Sequence, residues 1–100
     1  MQINPEQAFQ TLDGKHIEDP QNKKPLTLKD VCVSALLGNY DEKIDGTEKV
    51  KRYMLATEIY KAKGNIDLSA EDISLLKKLI AIAFSTLVTG QAWEILDPKS

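Results

Sequence analysis

One hundred residues, 42% of them hydrophobic and 28% charged, describe a single globular domain over residues 1–100 and exclude a disordered chain. The formal net charge of −2 exerts no long-range pull on nucleic acid or on an anionic membrane. A single cysteine, Cys32, excludes an internal disulfide and a cysteine-based zinc cluster, and fits a reducing compartment.

The opening Met1-Gln2-Ile3-Asn4-Pro5 has no charged region followed by an apolar core, so no secretory signal is expected. Leu12-Asp13-Gly14-Lys15 predicts a two-residue hairpin turn, with Phe9–Leu12 and Lys15–Glu18 as short strands. A competing pattern makes Asn4 a helix cap, Pro5 the first helical residue and Gly14 the stop. The hairpin is the preferred reading. Asp19 to Pro25 is a loop in both, so residues 1–26 form hairpin and loop ahead of a helical core over 27–97.

Thr27 precedes Leu28, and Asp30 follows three positions on, a capping-box variant. Leu28, Val31, Cys32, Ala35 and Leu36 then repeat on one helical face, and Gly38-Asn39 offers left-handed residues to end the helix. A polar loop from Tyr40 to Gly46 leads to a second helix, about Thr47 to Ala62, begun by Asp45, Thr47 and Glu48. Gly64 ends it, with Lys61 and Lys63 near its negative pole. Tyr53, Ala56, Ile59 and Tyr60 are its expected buried face, with Leu55 at the edge and the stem of Arg52 inside the arc.

Ser69-Ala70-Glu71-Asp72 opens the next helix with another capping-box variant, and Leu68 is placed to staple onto Ile73. At about 100° per residue, one face collects Ile73, Leu76, Ile80, Ala83, Phe84 and Leu87. A second stripe, Leu75, Leu79 and Ile82, makes the apolar arc about twice the roughly 100° of a surface helix. Either this helix is the central element or its spare face meets a partner. A break near Thr89-Gly90 sets off a short last helix, Gln91 to Leu96, stopped by Asp97-Pro98. The longest apolar run, Leu79–Phe84, falls far short of the roughly 20 residues of a membrane span. The expected fold is therefore mainly α with a small β component: three main helices, a short C-terminal one and an N-terminal β-hairpin.

The chemistry-bearing side chains are few. Cys32 lies on an apolar stripe, where a cysteine acts as a small hydrophobe and not as a nucleophile. His16 is the only imidazole, and a zinc site needs three or four ligands, so no metal and no cofactor are expected. Asp41, Asp45 and Gly46 hint at a calcium loop. With Asp41 first, however, Lys43 takes the third position and Arg52 the twelfth, where a bidentate glutamate is required. No phosphate-cradling glycine motif occurs, and no small-molecule substrate is indicated. The basic cluster Lys49, Lys51 and Arg52 is the candidate nucleic-acid contact, interleaved with Glu42, Glu48 and Glu58. Tyr53, Tyr60 and Trp93 fit core filling first, and Tyr40, in a loop, is the better exposed anchor.

The order of signals has a counterpart elsewhere. A Leu12-Asp13-Gly14 turn precedes Pro25-Leu26-Thr27-Leu28-Lys29-Asp30-Val31 and Ala35-Leu36-Leu37. Gly46-Thr47-Glu48-Lys49-Val50-Lys51-Arg52 leads into Leu55-Ala56 and Ile59-Tyr60, and Asp67 to Ile73 and Val88-Thr89-Gly90-Gln91-Ala92 complete the series. From residue 9 onward the chain resembles small proteins encoded in bacteriophage and prophage genomes. The resemblance carries no catalytic residues; it implies work in a bacterial host cytoplasm or within a virion.

These readings converge on a non-enzymatic interaction or assembly module, acting by self-association or by docking on another protein and not on a membrane. Leu75, Leu79 and Ile82 are the candidate contact stripe, with Trp93 and Tyr40 as aromatic anchors. The alternative is a nucleic-acid-associated regulator using Lys49, Lys51 and Arg52.

Overall fold

The computed structural model describes residues 2–19, 23–40 and 43–98. The middle of the expected 19–25 loop lies outside the described residues, as do Asp41 and Glu42, and with them the first position of the calcium-loop test. The elements in order are β1 (Gln2–Ile3), α1 (Leu28–Leu37), α2 (Gly46–Lys61), β2 (Ile66–Asp67), α3 (Ala70–Ala83) and α4 (Thr86–Leu96). The fold is mainly α with a small β component, as the periodicity and caps predict.

Two helix starts are set by the capping boxes read from the sequence, and a third falls at Asp45, within the expected acidic entry. The Thr27 hydroxyl accepts the Asp30 N–H while the Asp30 carboxylate accepts the Thr27 N–H, and Ser69 and Asp72 repeat the arrangement. Asp45 accepts the Glu48 N–H at 2.9 Å and begins α2. In each case a side chain satisfies an amide that the helix leaves without an internal partner.

The first turn of α1 is satisfied further from outside. The Leu28 N–H donates to the Gln7 carbonyl and the Lys29 N–H to the Pro5 carbonyl, both at 2.8 Å. The Asn4-Pro5 signal is thus a turn, closed by the Gln7 N–H on the Asn4 carbonyl at 3.2 Å, and not a helix start. Its carbonyls are needed by α1.

Residues 9–19 form a hairpin, with the extended stretch 23–26 folded against it. The Ile17 N–H donates to the Phe9 carbonyl at 3.0 Å, Leu26 to Ile17 at 2.7 Å, and Phe9 to Leu26 at 2.9 Å. This closes a three-sided ring of backbone bonds at Phe9, whose side chain is fully buried. The hairpin loop holds three residues, not two: Thr11 pairs with Lys15, and Gly14 takes φ +86°. A turn followed by a left-handed glycine replaces the expected two-residue turn. Separately, β1 pairs antiparallel with β2, Ile3 opposite Ile66, and ties the start of the chain to the link before α3.

The stripe Leu28, Val31, Cys32, Ala35 and Leu36 is buried throughout, with α2 packed on one side of α1 and α3 on the other, and α4 on α3. The helices thus stack in the order α2, α1, α3, α4, and the molecule measures 41 × 27 × 27 Å. The central place is shared by α1 and α3 and does not belong to the later helix alone.

The sequence places the last helix break at Thr89-Gly90; the structure places it at Phe84-Ser85. Phe84 is extended, and Ser85 caps α4 by accepting the Val88 N–H. Gly90 lies inside α4. The shift is explained by packing: α4 folds back antiparallel on α3, bringing Thr89 to the Ile80 carbonyl at 3.4 Å and Trp93 Nε1 to the Lys77 carbonyl at 3.1 Å. One long helix would leave Val88, Ala92 and Leu96, which are buried in this arrangement, without a surface to cover them. Gln91 adds a tie to the hairpin, its Oε1 accepting the Gln10 N–H at 3.0 Å and its Nε2 donating to the Gln10 carbonyl.

The end of α1 also differs in detail. Gly38 is extended (φ −68°, ψ 153°) and not left-handed. It is small because a Cβ there would stand 3.0 Å from the Tyr40 hydroxyl, which donates to the Ala35 carbonyl and satisfies the helix end. Tyr40→Phe and Gly38→Ala should each cost about 1 kcal/mol in denaturant unfolding, and the double variant should cost clearly less than their sum because both lose the same bond. Gly90 meets nothing within 4 Å of a built Cβ, so Gly90→Ala should stabilise the fold by about 0.5–1 kcal/mol, seen as a raised thermal midpoint.

Candidate protein-docking surface

The sixteen residues of α2 carry two apolar faces. At about 100° per residue, Arg52, Leu55, Ala56 and Ile59 share one side, and all four are buried against the domain. Val50, Tyr53, Met54, Thr57 and Tyr60 fall on the opposite side. Tyr53 and Tyr60 are 62% and 66% exposed, and Val50 and Met54 are comparably open. This corrects the expected buried face. Ala56, Ile59 and the stem of Arg52 are buried as predicted, but the helix is rotated so that Leu55, expected at the edge, joins them and both tyrosines turn out.

The reason lies at the α1 contact. The small Ala56 and the branched Ile59 let the two helices approach, and Arg52, only 5% exposed, sits beside Gly38, Asn39 and Tyr40 just beyond the end of α1. Tyrosine rings at the centre of that seam would hold the helices apart. Between the helices the outer stripe borders a groove of about 240 Å³ lined by Val33, Leu37, Tyr53, Ala56, Thr57 and Tyr60. A neighbouring depression of about 360 Å³ shares Val33 and Tyr60 and continues past Leu26 toward Phe84. Lys29 stands at its edge, 5.9 Å from the Tyr60 ring centroid and 2.7 Å from the Glu6 carboxylate. The signal for this face was present in the sequence as the spacing 50, 53, 57, 60, which a single-face reading of α2 passes over.

The residues singled out on the later helices are divided by the fold. Leu79 is fully buried and Leu75 half-buried against the core, while Ile82 is 59% exposed. The three therefore do not present one continuous exposed stripe. Trp93 is 36% exposed, but its ring lies under the Lys77 ammonium at 4.5 Å and its indole N–H is bound to α3. Lys77 in turn meets the Asp97 carboxylate at 3.2 Å. Trp93 joins α3 to α4. Tyr40 is half-buried with its hydroxyl engaged at the end of α1.

The basic cluster is also divided. Lys49 and Lys51 are exposed and Arg52 is buried, and two residues apart on a helix the lysines point in widely different directions. Among the described residues no three His, Cys, Asp or Glu side chains gather so as to hold a metal ion, and His16 is exposed beside the hairpin loop. No helix among the described residues is long and apolar enough to cross a membrane. Comparison of the chain with protein-family models, with curated proteins and with solved structures yields no match.

Cys32 is buried in α1, and burial pushes its thiol up from the ordinary value to about 12. The folded state holds this proton more tightly than the unfolded chain. The thiol therefore favours folding below about pH 9, and that contribution is lost as pH climbs toward about 12. At pH 8 the native thiol should react with a thiol reagent at least about a thousandfold more slowly than in the unfolded chain. Above pH 9, stability should fall more steeply for the wild type than for Cys32→Ala.

Proposed function

We propose that this protein is an interaction module, not an enzyme, and that it docks on protein through the outer face of α2 and the adjoining groove against α1. The observation that carries this reading is the exposed apolar stripe of Val50, Tyr53, Met54 and Tyr60, continuous with a groove whose walls are almost wholly carbon. Scattered exposed apolar residues are ordinary on a monomer, but a contiguous aromatic and methionine patch marks a contact surface. Tyrosine anchors such contacts with a large rigid ring and a hydroxyl that tolerates water, and methionine adapts to an irregular partner. The resemblance to phage and prophage proteins supports a setting in a bacterial host cytoplasm or a virion, where small modules of this kind join larger assemblies.

The test compares the wild type with Tyr53→Glu/Met54→Glu and with the control Ile82→Glu, each verified as folded by helical circular dichroism. The wild type and the control should form a protein complex, with a second copy or with a host or phage protein, and that complex should protect Met54 from peroxide oxidation. The α2 variant should form none. Retention of the complex by the α2 variant, or a wild type that associates with no protein, would refute the reading.

A further inference from the structure

Gly90 stands inside α4, and the fold gives no reason for a glycine there. It lies in the helix interior and is not among the glycines with positive φ, which are Gly14 and Gly64. A Cβ built on it meets nothing within 4 Å, so no close approach of another element requires its small size. Glycine in a helix interior is destabilising relative to alanine, and a local rule broken without structural return marks a place that serves another purpose. The missing side chain borders a cleft of about 490 Å³ on the seam between α3 and α4, lined by Ala81, Phe84, Thr86, Thr89, Gly90 and Trp93.

The register of the two helices orders that lining. Thr89 lies at Ile80 and Trp93 at Lys77, so the small Ala81 and Gly90 fall between Phe84 at the turn and Trp93 further along. Two aromatic side chains thus bracket a gap that Ala81 and Gly90 keep open. The Trp93 indole N–H is already given to the Lys77 carbonyl and the Thr89 hydroxyl to the Ile80 carbonyl. Among the described residues no charged side chain lines the cleft, so a charged guest would lose its hydration there without gaining a counter-charge. An uncharged ring loses little, and gains edge and face contacts with aromatic side chains that an aliphatic guest of the same size does not make. The volume falls within the roughly 300–1,000 Å³ of small-molecule sites. We propose that this cleft binds a small, uncharged, planar aromatic compound, with Phe84 and Trp93 holding its ring and Gly90 keeping the space beside it clear. The site lies at the opposite end of the helix stack from α2 and is independent of the docking surface.

Indole, an uncharged compound of two fused rings, is the probe. Titrated into the isotope-labelled full-length protein and followed by NMR, it should shift the Gly90 amide and the indole N–H of Trp93, the only tryptophan, saturably at millimolar concentration. Gly90→Ala should raise the thermal midpoint and yet bind indole about tenfold more weakly. Gly90→Leu should not bind it while remaining helical by circular dichroism. Indole-3-acetate, which carries a carboxylate, should bind about tenfold more weakly than indole, and cyclohexanol should give no saturable shift at either position. The proposal is overturned if indole gives no saturable shift at these two positions, if Gly90→Ala binds it undiminished, or if the charged or the aliphatic compound binds equally well. A loss of stability in Gly90→Ala would also overturn it, since the glycine would then serve the fold.

Discussion

The amide groups that begin α1 are the constraint on which the rest of the structure depends. A helix start buried in a core cannot leave its N–H groups to water, and each one left unmet would cost on the order of 1–3 kcal/mol. Here Thr27 meets one, and the carbonyls of Gln7 and Pro5 meet two more. Residues 4–7 are therefore part of the foundation of α1. With its start satisfied from inside the domain, α1 can sit with helices on both sides, and the backbone-bonded Phe9, Ile17 and Leu26 contribute their side chains to the same core.

That central position sets the order of the stack and decides which apolar surfaces are consumed. Packing against the rest of the core takes up Leu79 and leaves Leu75 half-covered, so the apolar excess conspicuous in the sequence of the later helices is largely absorbed. The helix α2 has a neighbour on one side. Its second face, with two tyrosines, a methionine and a valine in the open, is the surface the fold does not use. Transfer of such area out of water is worth about 25 cal/mol per Å² before the costs of association are set against it. The same geometry buries Arg52 and leaves Lys49 and Lys51 of the basic cluster at the surface.

Local signals were legible wherever a residue acts on its own neighbours. Thr27 and Ser69 were readable as caps because capping chemistry spans three residues, and the stripe around Cys32 was readable because one continuous face admits one burial. The lapses share a cause. Tyr53 and Tyr60 fit an inward arc as well as an outward one, and only the close approach of α1 at Ala56 selects between them. Gly90 is a breaker by propensity, overridden because Ser85 offers a cap and the fold-back buries Val88, Ala92 and Leu96. Gly38 reads as a left-handed stop, whereas its size answers to the ring of Tyr40 across the helix end.

From the sequence alone, the class of fold, the starts of the first three helices and the buried stripe of α1 were determined, because propensity, periodicity and capping are properties of neighbouring residues. The tertiary structure decided where α3 ends, that residues 4–7 serve α1 instead of forming a helix, and which of two apolar faces each helix gives to the core. Those outcomes depend on residues distant in the chain competing for the same space. The candidate surface belongs to the second kind. Its residues were always visible as apolar, and their exposure followed only once α1 had taken the other side of α2.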